Sequence, residues 1–171
     1  MTPLAHDSNI ILIGMPGVGK STVGVLLAKA TSRNFVDTDV LIQQAHRRRL
    51  QDIIDTDGLD HFKRIEERAL LDLDVRGHVI ATGGSVVYSE SAMNHLKTAG
   101  VVVHLYLPFD ALEPRLANLD ERGVVREPGQ TLAELYRTRG PLYQRYADFT
   151  IDCTGLTHED VVSAVRTMLQ L

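Results

Sequence analysis

The sequence predicts an α/β fold, a parallel sheet flanked by helices, and three observations carry that reading. Short apolar runs alternate with segments of helical periodicity, the pattern of a parallel sheet covered on both faces. The first of these runs ends in a glycine-rich turn that opens directly into a helix. The 171 residues suit one domain, 1–171, long enough to bury a core without disulfides or metals.

Taken in order, Asn9-Ile10-Ile11-Leu12-Ile13 is a run of strand length buried on both sides. After the glycine turn, Val23, Val25, Leu26, Leu27 and Ala30 make a helix of Ser21 to Ala30. Asn34-Phe35-Val36 reads as a second strand ending at Asp37, followed by helical stretches at 39–46, Leu50 to Ile54 and Leu59 to Leu73. In the last, Leu59, Phe62, Ile65, Ala69 and Leu73 recur at helical spacing. His78 to Ala81 is a third strand stopped by Thr82-Gly83-Gly84, and Val101 to Leu107 a fourth closed by Pro108. Phe149 to Asp152 makes a fifth, and Glu159 to Leu169 a closing helix. One segment breaks the pattern: Asp120 to Gln130 holds two glycines, a proline, two arginines and three acids, and reads as a mobile lid loop.

Composition narrows the partners. A net charge of -4 disfavours nucleic acid and anionic membrane, and no apolar run approaches the roughly 20 residues of a membrane span. The single cysteine, Cys153, fits a reducing compartment, and no signal-peptide pattern opens the chain, so a cytoplasmic protein is expected. Arg47-Arg48-Arg49 lacks neighbouring aromatics and reads as a solvated helix end. The seven histidines show no metal-ligand spacing, and His104, inside an apolar strand, reads as core or strand end.

Gly14-Met15-Pro16-Gly17-Val18-Gly19-Lys20-Ser21 matches G-x-x-x-x-G-K-[S/T] in full, with an apolar strand before it and a helix after. Glycines let successive N–H groups turn inward around a phosphate, and the helix aims its positive end at the same place. Lys20 is placed to reach the β- and γ-phosphates and Ser21 to ligate magnesium. Gly14, Gly17, Val18, Gly19, Lys20, Ser21 and Thr22 are thus the expected nucleotide-binding residues. No N/T-K-x-D guanine motif is present, and no strand ends in the Asp-Glu of mechanical ATPases, so a small-molecule or nucleotide kinase using ATP and Mg2+ is favoured. Asp37-Thr38-Asp39 closes the second strand, and in extended chain both carboxylates would enter the cleft, one for the metal and one for a substrate hydroxyl. Asp39 could equally cap the next helix.

Together with Phe62 to Glu66, Gly83-Gly84 and Arg139-Gly140-Pro141-Leu142-Tyr143, these motifs resemble the shikimate kinase family over nearly the whole chain. The resemblance implies a five-stranded parallel sheet of the P-loop nucleotide-kinase type. It also implies roles: Asp37 helps hold magnesium, Asp39 binds the acceptor hydroxyls and serves as base, and Arg139, before a Pro-x-Tyr turn, binds the acceptor carboxylate. A lid arginine, Arg126 or Arg122, approaches the transferring phosphate, and Arg115 lies against the adenine. Glu66 either braces the site or makes a surface ion pair, and the family favours the first.

Three departures fall on the acceptor side or the lid. Lys63 replaces the family's carboxylate-binding arginine, and a point charge does not reproduce a planar two-pronged donor. Gly83-Gly84-Ser85 replaces three glycines, and Arg126-Glu127-Pro128-Gly129 replaces Arg-Pro-Leu-Leu. The expected acceptor-side residues are therefore Asp39, Lys63, Gly83, Gly84, Ser85 and Arg139. The expected activity is transfer of the ATP γ-phosphate to a small-molecule hydroxyl by a monomer. Shikimate leads as acceptor, a related hydroxy acid such as homoserine or a sugar acid stands as alternative, and an ATP-binding sensor without transfer is the reading of another class.

Overall fold

The computed structural model describes residues 4–116, 124–127 and 129–171. Five strands, β1 (Asn9–Ile13), β2 (Asn34–Asp37), β3 (His78–Ala81), β4 (Gly100–Tyr106) and β5 (Phe149–Asp152), form one all-parallel sheet in the order β2-β3-β1-β4-β5. The helices are α1 (Lys20–Thr31), α2 (Thr38–His46), α3 (Leu50–Asp57), α4 (Leu59–Leu71), α5 (Glu90–Ala99), α6 (Phe109–Leu116), α7 (Leu132–Tyr146) and α8 (His158–Leu169). A 3-10 turn, Val86–Tyr88, follows β3. Among the described residues no helix is long and apolar enough to cross a membrane.

β1 is central, and every one of its residues is buried, which is why it reads as a continuous apolar run. It pairs with β3 on one side and β4 on the other, with Ile11 opposite Ile80 and Val102. The strand order reverses at β1, so the crevice beyond its carboxyl end is where this architecture holds ligands. A second, smaller core of Ile42, Leu50, Ile53, Phe62 and Val125 locks α2, α3 and α4 beside that crevice.

Three expectations are corrected. Arg139 to Tyr143 is not a turn: it lies inside α7, with Pro141 in the helix on its exposed side. Asp37 and Asp39 are not two residues of one extended chain. Asp37 caps α2, its carboxylate accepting from the N–H groups of Asp39 (3.0 Å) and Val40 (3.4 Å), and Asp39 sits in the first helical turn. The polar segment expected as a lid also contributes to the core, because Val125 is buried. Residues 117–123 and 128, including Arg122, lie outside the described residues.

Gly100 starts β4 opposite Asn9, and a Cβ there would stand 2.8 Å from the Asn9 Cα and closer still to its carbonyl. Backbone in a five-stranded sheet cannot give way, so Gly100→Ala should destabilise the fold by about 1–3 kcal/mol through overpacking. Urea unfolding checks this; a midpoint equal to the wild type would show that the β1–β4 spacing is not that tight.

Candidate active site

The crevice is a cavity of about 540 Å³, with the glycine loop and the start of α1 at one end and the α4, α7 and post-β3 residues at the other. Gly14, Gly17 and Gly19 of the loop all have positive φ, and Gly19, at φ 107°, precedes α1 with no side-chain cap. The first-turn N–H groups of α1 are thereby left for a ligand, and an anion is what that helix end favours. Lys20 is buried, its Nζ donating to the carbonyls of Gly14 (2.8 Å) and Met15 (3.0 Å). Burial pulls its ammonium down to about 8, opposed mainly by the charge of Asp39. Ser21 Oγ donates to Asp37 Oδ2 at 2.6 Å.

A hydroxyl and a carboxylate side by side beneath the phosphate loop are hard oxygen donors that fit magnesium. Among the described residues no three His, Cys, Asp or Glu side chains gather into a metal site.

At the other end, the buried stripe of α4 is Phe62, Glu66 and Leu70, and that of α7 is Leu135, Arg139 and Tyr143. Each stripe carries one charge in its middle. Glu66 accepts from Ser85 Oγ at 2.6 Å through Oε2, and its other oxygen has no hydrogen-bond partner among the described residues. Burial pushes its carboxyl up to about 7, the Ser85 hydrogen bond working against that. Burial likewise raises Asp39 to about 6, with the neighbouring Asp37 charge adding to the effect. The point where a Cβ on Gly83 would stand is 2.8 Å from Asp39 Oδ1 and nearer still to Glu66 Oε1, so a side chain there would displace one or both carboxylates.

Arg139 is completely buried. Its Nη2 donates to the Val125 carbonyl and its Nε to the Tyr88 hydroxyl at 3.3 Å, and the guanidinium lies 5.2 Å from the Tyr88 ring centroid. Its Nη1, beside Gly84, has no hydrogen-bond partner among the described residues. Tyr143, one turn further along α7, donates to the Gly84 carbonyl at 2.6 Å and so ties the glycine pair to the helix carrying Arg139.

The structure thus brings together Gly17, Gly19, Lys20, Ser21, Thr22, Asp39, Gly83, Gly84, Ser85, Arg115 and Arg139 around one cavity. Gly14 and Asp37 stand one contact behind its wall, and the Val18 side chain is packed into the core. Lys63 and Arg126 are not brought in. They line an adjoining cavity of about 190 Å³ that shares Val125 with the first. Sequence reasoning missed His158, whose ring lies 3.1 Å from where a Cβ on Gly19 would stand, and Tyr88; no spacing rule marks either residue.

A parallel sheet with this strand order, a complete phosphate loop and a polar cavity beyond it define a P-loop phosphotransferase. The family model for shikimate kinase matches residues 16–170. The shikimate kinase of Pasteurella multocida is 38% identical over 152 residues, covering 86% of this chain and 87% of that one. That of Thermodesulfovibrio yellowstonii is 38% identical over 160 residues, 92% of each. The structure of shikimate kinase from Acinetobacter baumannii in complex with shikimate superposes with a TM-score of 0.87 at 30% identity, over 95% of this chain and 93% of that one. The chain belongs to the shikimate kinase family.

Glu66 generates a stability prediction. Its folded-state carboxyl is raised above the ordinary 4.5 to about 7, so the native state binds more protons than the unfolded chain between those values. Stability from this group is therefore present below pH 4.5 and lost as pH rises toward 7. Melting temperatures across that range should decline, and Glu66→Gln, which stays neutral, should flatten the decline. An equally steep profile in the variant would mean that Glu66 is not the buried acid responsible.

Proposed function

We propose that this chain transfers the γ-phosphoryl group of ATP to a hydroxyl of shikimate, giving shikimate 3-phosphate and ADP, as a step of aromatic amino acid biosynthesis. The observation that carries the reading is Arg139. A fully buried guanidinium whose Nη1 has no hydrogen-bond partner among the described residues, in the wall of the cavity that also holds Lys20 and Asp39, suits a carboxylate, and shikimate is a carboxylic acid bearing hydroxyls. Family membership and the shikimate-bound Acinetobacter baumannii relative support it.

The loop N–H groups and Lys20 hold the β- and γ-phosphates, Lys20 exchanging the Gly14 and Met15 carbonyls for phosphate oxygens. Ser21 and Asp37 hold magnesium, which supplies charge neutralisation on the phosphates when bound. Asp39 accepts the proton of the attacking hydroxyl as its oxygen bonds to the γ-phosphorus, and the bond from that phosphorus to the bridging oxygen breaks to release ADP. Arg139 fixes the carboxylate, Gly83 and Gly84 let the acceptor approach, and Ser85 steadies Glu66. Arg115 and His158 flank the nucleotide end; Arg126, which lines the adjoining cavity, is given the transferring phosphate on the family resemblance alone. The chain works as a single-domain monomer in the cytoplasm, on small molecules and with neither nucleic acid nor membrane as partner.

The test is a coupled assay of ADP formation with ATP, magnesium and shikimate, homoserine or gluconate. Shikimate-dependent turnover is expected, and it should fall by about 10²–10⁴-fold in Asp39→Asn as the general base is lost. Arg139→Met should raise the KM for shikimate by about ten- to a hundredfold, the worth of a charge-assisted hydrogen bond. Turnover with another acceptor alone would move the specificity elsewhere, and silence with every acceptor would leave an ATP-binding sensor.

A further inference from the structure

Two of the residues that set this chain apart on the acceptor side bond to each other. Lys63 Nζ, on α4, is 2.9 Å from Glu127 Oε1, on the 124–127 segment, with side chains one-third and about three-fifths exposed. Both line the smaller cavity with Tyr88, Val125 and Arg126. Tyr88 links this pair to the acceptor end, because Lys63 Nζ stands 5.8 Å from its ring centroid and Arg139 Cζ 5.2 Å from the same centroid. Val125 links them again, since it walls both cavities and its carbonyl accepts from Arg139. A second cation thus stands one aromatic ring away from the carboxylate receptor, and a carboxylate belonging to the protein holds it.

We propose that Glu127 is a specificity-determining residue that occupies Lys63 as a resident carboxylate, so that an incoming acceptor carboxylate must compete with Glu127 for it. The acceptor anion is then read by Arg139 first, and Lys63 contributes only to the extent that Glu127 releases it. Competition of this kind penalises acceptors through their charge. It therefore acts on anionic acceptors and leaves uncharged ones of the same shape untouched. The inference rests on the reading of shikimate as acceptor.

The experiment compares wild type, Glu127→Gln, Lys63→Met and the double variant, using shikimate and its uncharged carboxamide. The pair is partly exposed, so Glu127→Gln should lower the KM for shikimate by about two- to fivefold, with the change in KM rather than kcat. The KM for the carboxamide should stay put, and in the Lys63→Met background Glu127→Gln should no longer lower the KM for shikimate. The KM for ATP in each variant reports that the nucleotide end is intact. An unchanged or raised KM for shikimate in Glu127→Gln overturns the proposal, as does an equal shift with the carboxamide or persistence of the effect without Lys63. No shikimate-dependent turnover in the wild type is a different result, which overturns the acceptor assignment itself.

Discussion

Burying a guanidinium and a carboxylate in one cavity wall is costly, and most of the acceptor end of this protein is arranged around that cost. Each ion alone carries a desolvation penalty of several kcal/mol, which only good geometry and hydrogen bonds offset. Arg139 is relieved by the Val125 carbonyl and the Tyr88 hydroxyl and ring, Glu66 by the Ser85 hydroxyl. Lys20 and Asp39 add a second pair of opposite charges to the same cavity. Compensation stops one step short, because Arg139 Nη1 and Glu66 Oε1 find no hydrogen-bond partner among the described residues. Arg139 and Glu66 line the same cavity as Lys20 and Asp39, which leaves that balance open to a ligand.

What the sequence made legible was local. β1 and the phosphate loop could be read because an apolar run, three glycines in a fixed pattern and a helix are contiguous, and the physics of the loop is contained in those residues. The boundaries of α1, β3 and β5 were found to within a residue or so for the same reason. Glycine and proline punctuation misled where burial decided the outcome. Gly140-Pro141 spells a turn, but Pro141 lies on the exposed side of α7. There Pro141 lacks the N–H that would bond the Arg137 carbonyl, and both residues are exposed. The periodicity Leu135, Arg139, Tyr143 was available as a helical signal, and a charge in its middle obscured it. α5 was invisible for a different reason: only Ala92, Met93 and Leu96 of its ten residues are buried apolar groups.

The acid pair comes together by a geometry other than the one strand alternation predicts. Asp37 and Asp39 do converge on the nucleotide end, though not by strand alternation. Asp37 ends β2, caps α2 and still offers an oxygen to Ser21, while the first turn of α2 swings Asp39 into the cavity. One Asp37 oxygen accepts the capping N–H groups and the other accepts the Ser21 hydroxyl, so the cap expected of Asp39 falls to Asp37.

The departures from the family pattern look independent along the chain and are not independent in space. Ser85 adds a side chain beside Gly83 and Gly84, and its hydroxyl is what satisfies one oxygen of Glu66. Lys63 is a poorer carboxylate ligand than arginine, and Glu127 adds a charge that looks out of place in a site for anions. Each therefore supplies the partner that the other requires. A lysine left free beside the Tyr88 ring would add a positive charge on the ring that Arg139 also approaches, and Glu127 offsets it. Substitutions that reduce recognition when counted singly keep the charge of the acceptor end balanced when counted together. Lys63, Glu127, Tyr88 and Arg139 therefore form one linked electrostatic group.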